Sequence, residues 1–235
     1  MVSISVVNDI HLEVIRLSKV YPGNRGLLAA TFNVNQGELI AIVGHNGAGK
    51  STLRKLLASW LVPDSGQVTV DGIDLRDRLG LVRKIGFVPE APNLHDGFSV
   101  DYNLALFARL FGAPASRVEE TLQEFKLLPF RHNTVRTLSK GLKQRVSIGR
   151  SLIADPPVLL LDEPTSSLDF ETTKDIYRLI HRIHELGKTI LFTSHRPEEI
   201  RFLATRILVL HEGAIVFDGL PNAYFQSSFY QTLYV

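Results

Sequence analysis

The chain has 235 residues, 45% of them apolar, and no cysteine. That size and composition bury a sizeable core and exclude disulfides, thiol catalysis and thiolate metal sites. Its 26 basic and 24 acidic side chains leave a formal net charge of +2, too small a surplus to predict nucleic-acid binding.

In chain order, Leu12 to Ser18 reads as a strand, Tyr21-Pro22-Gly23-Asn24 as a turn cluster and Ala29 to Val34 as a second strand. Glu38 to Val43 is a short apolar run ending in a glycine-rich loop, and Lys50 to Trp60 carries the leucine spacing of a helix, giving a strand–loop–helix α/β unit. Gln67 to Val70, ending at the Asp71-Gly72 turn signal, and Ile85 to Val88, ending at Pro89, are further strands. Strand character then gives way to helices over Val100 to Phe111, Ser116 to Phe125 and Leu142 to Ala154, which reads as a helical insertion. Val158 to Leu161 restores a buried strand, Phe170 to Leu186 a helix, and Thr189 to Phe192 another strand; Arg206 to Leu210 and Ala214 to Phe217 close the pattern around Glu212-Gly213. No apolar run reaches the roughly 18 residues of a spanning helix, and Met1 to Ile10 lacks a basic start followed by an apolar stretch, so neither a membrane span nor a secretory signal is expected.

Gly44-His45-Asn46-Gly47-Ala48-Gly49-Lys50-Ser51, followed by Thr52, fits the phosphate-loop pattern between a strand and a helix. Glycines let backbone N–H groups close on an anionic oxygen cluster, and the helix N-terminus adds its positive dipole end. Lys50 neutralises β/γ-phosphate charge, and the Ser51 hydroxyl is placed for Mg²⁺. Asp162, at the end of the Val158 strand, can reach the metal shell, and Glu163 is then placed as general base for an attacking water. Asp-Glu-Pro standing alone is also an ordinary strand-terminating turn; the phosphate loop gives it its functional reading.

With Leu138-Ser139-Lys140-Gly141-Leu142 preceding Asp162, the chain resembles the ATP-binding cassette (ABC) ATPases from Tyr21 to Gly219. The resemblance implies that this signature completes the nucleotide site of the opposite protomer in a head-to-tail dimer. It also implies that Ser166-Ser167-Leu168-Asp169 is the D-loop, His195 the switch histidine and Tyr21 the aromatic that stacks on adenine. Ser139 and the Gly141 N–H, at a helix start, make a second anion site suited to a γ-phosphate, although Leu-Ser-Lys-Gly alone is also an ordinary N-cap turn. Lys140 and Leu142 depart from the family's LSGGQ, a variation similar to ATPase subunits of drug, lipid and polysaccharide exporters. Glu90 stands where most members have a glutamine that touches Mg²⁺, and a carboxylate still offers oxygen ligands. His45 stands where proline is common.

Weaker signals point elsewhere. His181 and His184 with Glu185 lack the spacing of known zinc helices and read as a solvated face. Tyr102, Phe107 and Phe111 read as core packing rather than a docking surface, although the insertion after Glu90 is what membrane subunits touch in similar proteins. The tail aromatics Tyr224, Phe225, Phe229, Tyr230 and Tyr234 are either a packed terminal helix or an interaction surface.

The expected fold is α/β, a P-loop NTPase (RecA-like) core with an N-terminal antiparallel β-layer and an inserted helical subdomain. It forms a single domain over 1–235, with the core in 1–88 and 158–235 and the helices in 89–157. The expected function is ATP hydrolysis powering transport, by resemblance export, through a separate integral-membrane subunit. ATP and Mg²⁺ are the expected cofactors and a second ATPase protomer the expected partner, at the cytoplasmic face of the membrane, without direct nucleic-acid binding. The alternative is a soluble ABC-type ATPase acting on nucleic acid or ribosomes.

Overall fold

The computed structural model describes residues 10–23, 25–74, 76–77 and 83–234; Met1 to Asp9, and Asn24 of the expected turn, lie outside the described residues. β1 (Ile10–Tyr21) and β2 (Arg25–Asn35) form a long antiparallel pair. β4 (Ser65–Val70) pairs antiparallel with β1, and β5 (Ile73–Asp74) with β4, giving a four-stranded sheet of order β2-β1-β4-β5. Both leading strands exceed the expected lengths. Bulges between Val14 and Lys19 re-aim β1, which mixes the alternation that a shorter strand reading depended on.

The second sheet is built around β3 (Leu39–Val43), in the order β10-β9-β3-β8-β7-β6. β6 (Ile85–Val88), β7 (Val158–Asp162), β8 (Thr189–Thr193) and β9 (Arg206–His211) run parallel with it, and only β10 (Ala214–Gly219) is antiparallel. Its central strands β3, β7 and β8 are near-continuous apolar runs because both faces are covered. Ile40, Ile42, Leu160, Leu191 and Leu208 face the β-layer and Leu53, Leu56 and Leu57 of α1 (Lys50–Leu57). Leu39, Ala41, Val43, Leu159, Leu161, Ile190 and Phe192 face the helices on the other side.

α1 ends at Leu57, short of the expected Trp60. Ser59 takes a left-handed φ of 59°, and the Trp60 N–H folds back to the Lys55 carbonyl. α2 (Val100–Phe111) starts at Ser99, whose hydroxyl accepts from the Tyr102 N–H, and stops at Gly112 in the left-handed region. α3 (Ser116–Glu124) and α4 (Lys140–Ser151) complete the insertion, and all three helices contribute to the core cluster under the sheet. α4 begins two residues before the expected Leu142, because the Ser139 hydroxyl caps it at the Leu142 N–H. α5 (Phe170–Glu185), capped by Asp169, covers the same face with Ile176, Tyr177, Ile180 and Ile183. α6 (Pro197–Leu203) is too short for its periodicity to be read in sequence.

The aromatic tail forms α7 (Pro221–Phe225) and α8 (Ser228–Tyr234). Tyr224 is fully buried, with Phe217, Phe225 and Tyr230 around it, so the tail packs on the core. Among the described residues no helix is long and apolar enough to cross a membrane.

Candidate nucleotide site

The loop between β3 and α1 is held from outside its own sequence. The Ala48 carbonyl accepts from the Gly213 N–H (3.0 Å), and the Gly213 carbonyl accepts from the Leu28 N–H (2.7 Å), tying the loop to the β9–β10 turn and β2. Gly49, with φ of 106°, caps α1; a Cβ there would stand 2.4 Å from the Gly26 carbonyl oxygen, so only glycine fits. The loop amides therefore keep a fixed concave form. Lys50 folds over it, its Nζ donating to the carbonyls of Gly44 and His45 (3.0 Å to the latter). Burial lowers the Lys50 pKa, and the nearby Glu163 charge opposes that shift.

The carboxylates come from neighbouring strand ends. Asp162 closes β7 opposite Thr193 of β8, and the Thr193 hydroxyl donates to Asp162 Oδ1 (2.8 Å) while accepting from the Glu163 N–H (3.1 Å). Asp162 Oδ2 takes an ion pair from Arg54, one helical turn beyond Lys50 on α1. Glu163 sits at a left-handed φ of 44°, a costly conformation for a non-glycine residue that here turns the strand end toward the loop. Burial, and then the charge of Glu199, push its carboxyl up to about 7, against the His195 backbone N–H and Lys50. Its Oε1 lies 3.4 Å from His195 Nε2. Burial and the neighbouring Lys50 lower the His195 pKa, so the imidazole favours its neutral form.

Glu199 stands behind this pair, almost fully buried, and accepts from the hydroxyls of Thr165 (2.8 Å) and Ser194 (2.6 Å). Glu90 is exposed after β6 and accepts from the Ser166 hydroxyl at 3.3 Å.

Tyr21, His45, Asn46, Gly47, Gly49, Lys50, Ser51, Thr52, Glu90, Asp162, Glu163 and His195 line one open cleft of about 710 Å³, with Arg25, Arg54, Thr193 and Arg196 completing its wall. Gly44 and Ala48 are buried behind it. Ser139 and Gly141 do not line it. Gly141 lies in the first turn of α4, where a Cβ would meet Thr172 Cγ2 of α5 at 2.2 Å, so this glycine also serves helix packing. His181 and His184 stay outside the cleft, each ring bonded to a backbone carbonyl, of Phe202 (3.0 Å) and Gly37 (2.6 Å). Phe107 and Phe111 are half-buried against the core, but they also line a separate groove of about 320 Å³ with Trp60, Phe87 and Arg150. Tyr102 remains exposed, stacked on Phe98.

Sequence reasoning does not reach Arg54, Thr193 and Glu199, nor Arg25 and Arg196 in the wall of the cleft. Arg54 had a signal, since i and i+4 positions share a helix face with Lys50. Thr193 and Glu199 had none, because their contacts depend on strand pairing and on a short helix.

A phosphate-sized hollow walled by amides, a cationic amine, a hydroxyl and strand-end carboxylates suits a metal-bound polyphosphate. The ABC transporter family model matches residues 27–166. Nod factor export ATP-binding protein I of Rhizobium etli is 37% identical over 211 residues, 88% of this chain and 67% of that protein. The ABC transporter ATP-binding protein NatA of Bacillus subtilis is 33% identical over 203 residues, 84% of this chain and 82% of its own. Among solved structures, cbiO1 of Clostridium perfringens, part of the cbiONQ transporter complex, superposes with a TM-score of 0.84 at 31% identity over 92% of this chain and 91% of that one. A dimeric ATP-binding cassette in a post-hydrolysis state bound to ADP and Pi superposes with a TM-score of 0.77 at 28% identity, over 89% of this chain and 98% of that one. The chain belongs to the ABC transporter family, as an ATP-binding subunit with the ATPase fold and activity of that family.

Proposed function

We propose that this ATPase powers export through a separate membrane subunit, with hydrolysis at the cleft between β3, α1, β7 and β8. In this reading the loop amides from Gly44 to Thr52 and the Lys50 ammonium hold the β- and γ-phosphates, while Tyr21, at the cleft rim, offers its ring to adenine. Ser51, Asp162 and Glu90 are the oxygen donors for Mg²⁺; hard oxygen ligands at a strand end beside a phosphate cradle suit that ion. Bound Mg²⁺ supplies charge neutralisation on the phosphates.

The observation that carries the assignment is Glu163, held on a strained turn, pushed up to about 7 and set 3.4 Å from His195. A carboxylate with that proton affinity can take a proton from water near neutral pH, and His195 steadies the water and γ-phosphate. Ser139 and Gly141, at the capped start of α4 and away from this cleft, fit a role in the site of a second protomer. The helical lobe 89–157 and the core formed by 1–88 and 158–235 then act as parts of one ATPase domain.

The export name of one relative and the transporter name of the other favour transport over a soluble role on nucleic acid. The groove of Trp60, Phe87, Phe107 and Phe111 offers an apolar seat to the membrane subunit, which would hold the protein peripherally at the inner face of the membrane. The test is Glu163→Gln. Loss of a positioned base should lower steady-state ATP hydrolysis about 10²- to 10⁴-fold while ATP-dependent dimerisation, read by light scattering, persists. Unchanged hydrolysis would overturn the assignment.

A further inference from the structure

Arg54, like Arg25 and Arg196, is a cation of the cleft for which the phosphate-loop pattern has no use, and it is the one that pairs with Asp162 among the described residues. Its side chain is largely buried and its guanidinium pairs with Asp162 Oδ2, while Oδ1 of the same carboxylate is taken by the Thr193 hydroxyl. Both oxygens are thus engaged by groups of this chain. A divalent cation that takes Asp162 has to share or displace one of them, and a neutral hydroxyl can turn aside while a guanidinium cannot lose its charge. Glu90 and Glu163 lie close enough to act on Arg54 electrostatically, and its Nε is buried with no hydrogen-bond partner. On its other side the guanidinium lies over the Phe87 ring, 5.5 Å from the centroid, and Phe87 meets Trp60 edge to face at 4.6 Å. Trp60 is the only tryptophan of the chain and is 60% exposed.

We propose that Arg54 is a built-in counter-cation of this site: it holds Asp162 until a divalent cation takes that carboxylate, and its departure is felt by Phe87 and Trp60. The inference rests on the assignment of Asp162 to the metal. Arg54 competes with the cation for one carboxylate oxygen and repels it, so it sets how much Mg²⁺ the site needs. It also offsets the negative charges of Glu90 and Glu163, both of which act on its guanidinium. Arg54 is a positioning residue: it acts on the metal through Asp162, and it ties metal occupancy to one wall of the apolar groove, which Phe87 and Trp60 both line.

The experiment is a Mg²⁺ titration of the full chain with a non-hydrolysable ATP analogue, read by thermal protection and by Trp60 emission. In the wild-type protein the emission should change with Mg²⁺ plus nucleotide and not with nucleotide plus EDTA. Arg54→Gln should lower the Mg²⁺ concentration for half-maximal protection roughly 5- to 50-fold, the span of a typical pairwise coupling, and should blunt the emission change. Arg54→Lys, which keeps the charge but not the planar face over Phe87, serves if the neutral variant fails to fold, and should shift the curve less than Arg54→Gln and still give a Mg²⁺-dependent emission change. Asp162→Asn should raise the half-maximal Mg²⁺ at least about tenfold, the loss of a charged ligand. An Asp162→Asn curve equal to wild type would remove the metal assignment and this proposal with it. A shifted Asp162→Asn curve beside an unmoved Arg54→Gln curve, or wild-type emission indifferent to Mg²⁺, would overturn the Arg54 exchange alone.

Discussion

Glu163 combines two costs that a structural residue would shed: a left-handed backbone and a carboxyl held in a buried, negatively charged setting. The consequences for pH follow from the direction of its shift. A carboxyl raised from the usual range to about 7 is protonated in the folded protein at pH values where the unfolded chain has already ionised. Its favourable contribution is therefore complete below the unfolded pKa and is lost as pH rises toward 7. Glu163→Gln, which cannot ionise, should be more stable than wild type at pH 8 by about 1–2 kcal/mol after allowance for solvent screening, and the two should converge near pH 4. Thermal melts across pH 4 to 8 check this, and parallel curves would mean that Glu163 titrates normally. With Glu163 as the proposed base, wild-type hydrolysis should fall on the acid side of pH 7, because that base must be ionised to act.

α4 packs against α5, and the contact leaves no room for a side chain at Gly141. Thr172 cannot easily yield, since its hydroxyl donates to Asp169 (2.7 Å), the residue that also caps α5. Gly141→Ala should therefore cost about 1–3 kcal/mol, the usual penalty of overpacking. Thr172→Ser, which removes the obstructing methyl and keeps the hydroxyl, should restore most of that loss. Urea unfolding of the two single variants and the double variant measures the coupling; simple additivity would show that the two helices relax around the extra carbon. The same elements explain why α4 starts where it does, since Ser139 both caps the helix and ends the connection from the short 3₁₀ turn at Val135–Thr137.

At the scale of the whole molecule, the cleft gathers Lys50, Asp162, Glu163 and His195 but leaves out exposed Ser139 and buried Gly141 at the start of α4. A head-to-tail pair of chains would bring each signature to the other's phosphate loop, an arrangement in keeping with the dimeric cassette that this chain resembles. Ser139→Arg and Lys50→Ala should each inactivate the homodimer. A mixture should form heterodimers with one damaged and one intact site, and ATPase activity should return to a sizeable fraction of one site's turnover. Heterodimers demonstrated by mass but without recovered turnover would sink the trans arrangement.

Local pattern was enough for the phosphate loop, the apolar strands β3, β7 and β8, and the exact span of α2, because each depends on neighbours within a few residues: glycines before a helix, runs buried on both faces, a serine cap and a glycine stop. The order of Lys50, Asp162, Glu163 and His195 along the chain was likewise legible, each at the end of a recognisable strand or loop. Strand order, and with it the convergence of Asp162 and Thr193, came only from pairing between segments distant in sequence. So did the partnership of Arg54 with Asp162, the burial of Glu199 behind Glu163 and the packing of Tyr224 beneath the tail. Short-range propensity carries no term for those contacts; they exist because the two faces of one parallel sheet must both be covered, and covering them decides which charges are left facing each other in the cleft.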